Sequence, residues 1–121
     1  MIYDYYNAKV DYDPKFDLLS VRKPDAKISY SMRFGSIIID FQKQEPVGFE
    51  FTDAENFLKK LFNSPKLDKN LLNQVTKAKI GLATTQSNLI ALIAFVLPNN
   101  QEIEAKYVLP KPVSQEIKIT A

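Results

Sequence analysis

A chain of 121 residues that is 45% hydrophobic and 12% aromatic can bury a core of its own, which excludes a disordered chain. It contains neither Cys nor His, so disulfides, thiolate nucleophiles and the Ser-His-Asp and Cys-His catalytic arrangements are excluded within these 121 residues. The net charge of +2 points to no particular partner. With no apolar run near the roughly 20 residues that span a bilayer, we expect one cytoplasmic domain over residues 1–121.

Alternating apolar and polar residues predict five strands in residues 1–52. Turn residues such as Pro14, Pro24 and Gly35 separate them. Consecutive strands joined by short turns favour an antiparallel β-meander. The five predicted strands are Ala8–Tyr12, Asp17–Lys23, Ile28–Phe34, Ser36–Gln42 and Val47–Phe51.

Residues 53–75 have the pattern of a helical segment. Thr52 and Glu55 are spaced as a capping box, in which each side chain accepts a hydrogen bond from the backbone N–H of the other residue. An apolar stripe with helical spacing follows and is expected to cover one face of the sheet. Ser64 and Pro65 then suit the cap and the first turn of a second short helix. The stripe consists of Ala54, Phe57, Leu58, Leu61 and Phe62.

Residues 76–121 return to the pattern of strands. Lys77–Thr85, Leu89–Leu97 and Glu102–Leu109 are predicted strands, and Ile117 and Ile119 suggest a last short strand at an edge. Leu89–Leu97 is apolar on both faces, so it is predicted to be either a central strand or a dimer interface. The predicted fold class is α+β: a mainly antiparallel meander of about five strands, one or two short helices, then about three further antiparallel strands.

Two stretches of the first half resemble a known family. They are Tyr12-Asp13-Pro14 with Asp17-Leu18-Leu19-Ser20-Val21-Arg22, and Ile38-Ile39-Asp40-Phe41 with Pro46-Val47-Gly48-Phe49-Glu50-Phe51. Over residues 10–57 the chain is similar to a widespread family of small uncharacterised prokaryotic β-rich domains. Some members look like the antitoxin-type partner of a small toxin, so the resemblance implies a β-rich fold and, by analogy, a protein-binding role. It implies no site residue.

Four charged residues are predicted to share the polar face of the meander: Arg22, Arg33, Asp40 and Glu50. The two arginines could bind a small anion or a carboxylate, because a guanidinium holds such groups with two parallel hydrogen bonds. The carboxylate pair could also serve general acid–base chemistry. The favoured interpretation is cross-strand ion pairing on a solvated face.

The segment from Lys59 to Lys79 holds six lysines and one acid, which suggests an alternative role in nucleic-acid binding. The favoured interpretation is again a solvated surface, because the segment lacks arginine and a recognised nucleic-acid motif. The candidate phosphate-binding residues are Lys59, Lys60, Lys66, Lys69, Lys77 and Lys79.

Missing catalytic residue types and abundant Tyr and Phe favour a non-enzymatic binding or interaction module. We expect it to act as a homodimer or with another small protein, without a catalytic residue, a metal or a cofactor, and away from membranes. Weak nucleic-acid binding is the alternative, and a carboxylate-based or metal-assisted enzyme is the least favoured hypothesis.

Overall fold

The computed structural model describes residues 3–110, so the strand predicted at Ile117 and Ile119 lies outside the described residues. Eight strands and two short helices follow one another along this part of the chain. They are β1 Asp4–Asp13, β2 Leu18–Arg22, β3 Tyr30–Phe34, β4 Ile37–Gln42, β5 Glu45–Phe51, α1 Ala54–Leu61, α2 Lys69–Leu72, β6 Lys77–Thr84, β7 Asn88–Val96 and β8 Glu102–Pro110.

All eight strands form one antiparallel sheet, a half-barrel in the order β3-β4-β5-β2-β1-β6-β7-β8. The predicted α+β class with a five-strand meander is therefore wrong, and only 11% of the structure is helical. The first five strands are not a meander, because β2 pairs with β5 and β3 lies at the edge of the sheet. Alternation of residue types identifies strands but carries no information about which strands are neighbours.

Strand β1 joins two parts of the sheet. Its residues Lys9–Asp13 pair with β2, whereas its residues Asp4–Lys9 pair with β6. We call β2 to β5 the N-terminal half-sheet and β6 to β8 the C-terminal half-sheet. We call the face that packs on the helices the inner face, and the opposite face the outer face.

The core lies between the inner face and the two helices. Ala54 and Leu58 of α1 and Leu72 of α2 are buried against it, as the apolar stripe predicts. Two aromatic stacks fix the helical segment: Phe51 on Phe57 at 5.9 Å and Phe62 on Phe95 at 4.8 Å between ring centroids. The helices therefore cover strands from both halves of the sheet.

The predicted capping box does not form. The N-cap of α1 is Asp53, which has a left-handed backbone (φ 48°) and no capping side-chain hydrogen bond. Asp17 instead accepts both first-turn donors: its backbone oxygen from Ala54 N–H at 3.0 Å and its Oδ1 from Glu55 N–H at 3.1 Å. The loop between β1 and β2 thus takes the place that the predicted box assigned to Thr52.

The second helix begins later than predicted. Its N-cap is Asp68, whose carboxylate accepts a hydrogen bond from the Leu71 N–H at 2.9 Å, rather than Ser64. Glu55 Oε2 also accepts from the Lys69 N–H at 3.0 Å, which joins the start of α2 to α1. Asp is as strongly preferred at an N-cap as Ser, so the local pattern does not decide between Ser64 and Asp68.

Strand β7 has a paired neighbour on each side, β6 and β8, so Leu89–Leu97 forms a central strand. Its odd-numbered residues face the core, and the even-numbered residues from Ile90 to Val96 lie on the outer face. Within residues 3–110, no helix has the length and apolar character needed to cross a membrane.

Candidate functional site

Strand register brings a polar cluster together on the outer face of the N-terminal half-sheet. Ser31 lies opposite Asp40, Asp40 opposite Gly48, and Gly48 opposite Arg22. Because Gly48 has no side chain, Arg22 can reach across it. A methyl group there would lie 3.2 Å from Arg22 Cγ and 3.3 Å from Asp40 Oδ2.

The cluster holds two carboxylates and one guanidinium. Arg22 Nη2 donates to Asp40 Oδ2 at 3.0 Å and lies 3.5 Å from Glu50 Oε2. The Ser31 hydroxyl donates to the other oxygen of Asp40 at 2.6 Å. Asp40 is fully buried, and it is the only buried charged residue within residues 3–110. A buried carboxylate needs such partners because burial removes its hydration.

Two carboxyl groups that share one cation cannot both ionise freely. Burial raises the pKa of Glu50, the hydrogen bond with Asp40 and the charge of that residue add to the rise, and Arg22 opposes it, so that the pKa is about 7. Glu50 therefore gains or loses its proton close to neutral pH. In a chain without His, this gives the cluster a charge change in the physiological range.

Arg33, the fourth residue predicted for this face, takes part in a different set of contacts. Its Nε donates to the backbone oxygen of Gly35 at 3.0 Å and its Nη2 donates to Thr52 Oγ1 at 3.2 Å. Thr52 also donates to the backbone oxygen of Ser36 at 3.3 Å. Arg33 and Thr52 therefore tie the turn between β3 and β4 to the end of β5, and they add no second guanidinium to the cluster.

The six candidate lysines do not form one surface. Lys59, Lys60 and Lys69 belong to the helices that cover the inner face, and Lys66 lies in the loop between those helices. Lys77 and Lys79 lie on the outer face of β6. Two of the six are already paired: Lys59 with Glu55 at 3.7 Å and Lys79 with Glu102 at 3.3 Å. A phosphate backbone would meet only part of this set at once.

The outer face of the C-terminal half-sheet has a different character. Its central column on β7 is apolar: Leu92 and Val96 are half-buried, and Ile90 and Ala94 are buried. Tyr5 lies over Gly81 beside this column, and Val108 of β8 is 50% exposed. The alternation of Leu89–Leu97 indicated an apolar outer face, but only the register of β1, β6 and β8 reveals which side chains surround it.

Sequence reasoning missed two residues that organise the N-terminal half-sheet. Ser31 lies inside the predicted strand Ile28–Phe34 and has no role in the sequence predictions, although its hydroxyl donates to the buried carboxylate of Asp40. Asp17 appeared only as the start of a strand, although it caps α1 and accepts a hydrogen bond from the Tyr12 hydroxyl at 2.7 Å. The cap has no local pattern because Asp17 and Glu55 are far apart in the sequence, and the contact of Ser31 with Asp40 depends on the register of β3 against β4.

The range over which the chain matches a known family coincides with this architecture. Residues 9–55 match the family described as protein of unknown function (DUF2283). The resemblance predicted over residues 10–57 is thereby confirmed. The matched range begins at Lys9, where β1 starts to pair with β2, and ends at Glu55, whose N–H is capped by Asp17. It therefore covers the N-terminal half-sheet and its closure onto α1.

Neither the curated proteins nor the solved structures contain a match to this chain. The C-terminal half-sheet lies outside the residues that the family model covers. Within residues 3–110, no group of three or more acidic side chains is arranged to hold a metal ion.

Proposed function

We propose that the protein is a non-enzymatic interaction module whose partner is a second copy of the same chain. The contact joins the two outer faces over β6, β7 and β8. The observation that carries this proposal is the arrangement of charge on either side of the apolar column of β7. That arrangement matches itself under a two-fold rotation.

The charges form two columns of opposite sign. Lys77 lies opposite Val96, which lies opposite Glu102 on the other side of β7. One step along the strands, Lys79 lies opposite Ala94, which lies opposite Glu104. The lysine column, Lys77 and Lys79, therefore belongs to β6 and the glutamate column, Glu102 and Glu104, to β8, with apolar side chains between them. The next residue on the outer face of β8 is Lys106, which lies opposite Leu92.

A two-fold axis parallel to β7 places β6 of one copy over β8 of the other copy. Lys79 of each copy then faces Glu104 of the other, and Lys77 faces Glu102. The apolar column of β7 packs on its own symmetry mate. A two-fold axis perpendicular to the strands would instead place β6 over β6 with the strand direction reversed, so neither lysine would face a glutamate of β8. Charge therefore selects one of the two face-to-face arrangements.

The size of this contact indicates a weak, reversible dimer. Three strands about 4.8 Å apart and about nine residues long, at about 3.3 Å per residue, cover about 400 Å². A standard stable interface buries about 800 Å² per partner. Micromolar or weaker association is therefore expected, with a strong dependence on protein concentration.

Sedimentation velocity over a wide range of protein concentration tests the proposal. Leu92→Lys places a charge at the centre of the contact and should leave a monomer at every concentration. Ile38→Lys is the matched control, because Ile38 is a half-buried apolar residue on the outer face of the N-terminal half-sheet. Ile38→Lys should dimerise like the unchanged protein. A monomeric unchanged protein, or equal loss in both variants, would rule out this interface.

A further inference from the structure

A groove of about 430 Å³ lies on the outer face of the N-terminal half-sheet, beside the polar cluster. Its floor includes Lys9 and Ser20, and Arg22 lies at one end. The connection from β2 to β3 forms its other wall with Lys23–Ala26. This volume is in the range of small-molecule sites, which are commonly about 300–1,000 Å³.

Three cationic residues occupy one row across β2, β1 and β6, and two of them, Lys9 and Arg22, line the groove. Lys9 lies directly opposite Arg22 on one side and directly opposite Lys77 on the other. Like charges in directly opposed positions destabilise a sheet. Among the described residues, no carboxylate lies within 4.0 Å of the Lys9 or Lys77 ammonium group. Within the described residues, Lys9 and Lys77 therefore carry positive charge that no ion pair neutralises, whereas Arg22 is paired with Asp40.

The acids near the groove limit the size of the charge it can accept. Asp11 and Asp25 line it together with Lys9, Arg22 and Lys23, and Asp40 already pairs with Arg22, so these charges balance. The groove therefore suits a single anionic group of a small molecule that Lys9 and Arg22 can hold locally, and no larger negative charge. Guanidinium and ammonium donors side by side suit the oxygens of a carboxylate, sulfate or phosphate group.

Arg22 is not fully used by its present partners. Its Nη2 is shared between Asp40 and Glu50, and its buried Nε–H has no acceptor within residues 3–110. Glu50 is the weaker partner, at 3.5 Å against 3.0 Å for Asp40. An anion in the groove would thus compete with Glu50 for the guanidinium while Asp40 retains its hydrogen bond.

We propose that Lys9 and Arg22 form a binding site for a small oxyanion, and that the Glu50 carboxylate competes with the ligand for Arg22. This site is separate from the proposed dimer contact, which uses neither Lys9 nor Arg22. Protonation of Glu50 removes the competing charge and so favours the bound anion.

Other charged groups around Glu50 do not alter this competition. On its own face, Glu50 meets Asp40 of β4 and Arg22 of β2. Arg33 of β3 is held by Gly35 and Thr52, and Asp11 of β1 lies two strands away, beyond Ser20. The pKa of Glu50, about 7, places its charge change within the range of a binding experiment.

Titration calorimetry at constant ionic strength tests the site with sodium sulfate and, separately, with sodium acetate. Neither anion changes its charge near neutral pH, so any pH dependence belongs to the protein. Lys9→Ala should weaken binding about tenfold, because a hydrogen bond to a charged group contributes about 1.5–3 kcal/mol. Lys60→Ala is the matched control, since it removes the same charge from α1 on the opposite side of the sheet, and should change affinity less than about twofold.

The pH dependence separates this site from general attraction of anions to a basic surface. Affinity for sulfate should fall as the pH rises through about 7, and Glu50→Gln should abolish that fall. Tighter binding of sulfate than of acetate would identify a phosphate-like ligand. Tighter binding of acetate would identify a carboxylate ligand. Either result supports the site. Absence of binding by both anions, equal loss in Lys9→Ala and Lys60→Ala, or a pH dependence that survives Glu50→Gln would overturn it.

Discussion

The two half-sheets share β1 and one core, but their outer faces differ. The N-terminal half-sheet buries a carboxylate, Asp40, among hydrogen-bond donors. The C-terminal half-sheet presents an apolar column between a lysine column and a glutamate column. The first arrangement pairs its buried carboxylate from within the chain, whereas the second leaves Leu92 and Val96 half-buried, and a partner could cover them.

This difference suggests a division of roles. The residues that match the family of unknown function, 9–55, form the half-sheet with the internal polar cluster. The half-sheet beyond them provides the surface that we assign to self-association. If this account is correct, variants in the two halves should affect different observables: proton binding and stability in the first half, and oligomeric state in the second.

The two half-sheets should differ most in the free energy of unfolding that is lost when one member of an ion pair is removed. Asp40→Ala should lower the free energy of unfolding by about 2–4 kcal/mol, because it leaves Arg22 without its buried partner. Arg22 keeps some solvent contact and the nearby Glu50, which keeps the loss below that of a fully buried pair. Urea denaturation at low protein concentration measures the effect.

Glu102→Ala is the matched variant of the C-terminal half-sheet. Its ion pair with Lys79 is about half exposed on both sides, so its removal should cost less than about 1 kcal/mol. If Asp40→Ala and Glu102→Ala lowered the free energy of unfolding equally, burial would not determine how much each ion pair contributes to stability.

A pH dependence of stability should come from the N-terminal half-sheet. Folding raises the pKa of Glu50 from 4.5 to about 7, so the native state binds the proton more tightly than the unfolded chain. The contribution of Glu50 to the free energy of unfolding is complete below about pH 4.5 and is lost as the pH rises to about 7. Denaturation at a series of pH values should show this decline, and it should be smaller than the Asp40→Ala effect because Glu50 has solvent contact.

The Glu50→Gln variant is the control for that decline. It keeps the shape of the side chain but cannot ionise, so its stability should vary less with pH between about 4.5 and 7. If the stability of the variant changed with pH as steeply as that of the unchanged protein, another titrating group would be responsible for the pH dependence.

The smallest expected difference in stability is between alanine variants of two glycines on the outer face, one in each part of the sheet. Gly48→Ala should destabilise the protein by about 1 kcal/mol, because the new methyl would press on the Val21 backbone oxygen at 3.2 Å and on buried Asp40. Gly81→Ala would meet the ring of Tyr5, which is 64% exposed and can rotate away.

Gly81→Ala should therefore change the free energy of unfolding by less than about 0.5 kcal/mol, since relief of glycine entropy offsets the displacement of Tyr5. Thermal denaturation of both variants measures the contrast. A larger loss for Gly81→Ala than for Gly48→Ala would show that the outer face of the C-terminal half-sheet is packed more tightly than the polar cluster.

The sequence predicted the strands better than it predicted their arrangement. Alternation located all eight strands of the described chain, although β1 begins at Asp4 rather than Ala8. It could not place β2 beside β5, because that pairing depends on how residues 23–29 pass the end of the β4–β5 hairpin. The inward face of α1 was likewise predictable from its spacing.

The candidate site was predictable only in part, for the same physical reason. Alternation placed Arg22, Asp40 and Glu50 on one face, and the structure brings these three together. Arg33 shares that face but binds Gly35 and Thr52 instead, because reach and register decide which neighbour a long side chain meets. The depth at which Asp40 is buried depends on Gly48 and Ser31 from two other strands.

A mixing experiment tests the proposed association most directly. One variant carries Lys77→Glu and Lys79→Glu, so both of its columns are acidic. The other carries Glu102→Lys and Glu104→Lys, so both of its columns are basic. Each variant alone should sediment as a monomer, whereas an equimolar mixture should form a heterodimer, because every facing pair is then of opposite charge. Two variants that remain monomeric in the mixture, or that each dimerise alone, would contradict the account.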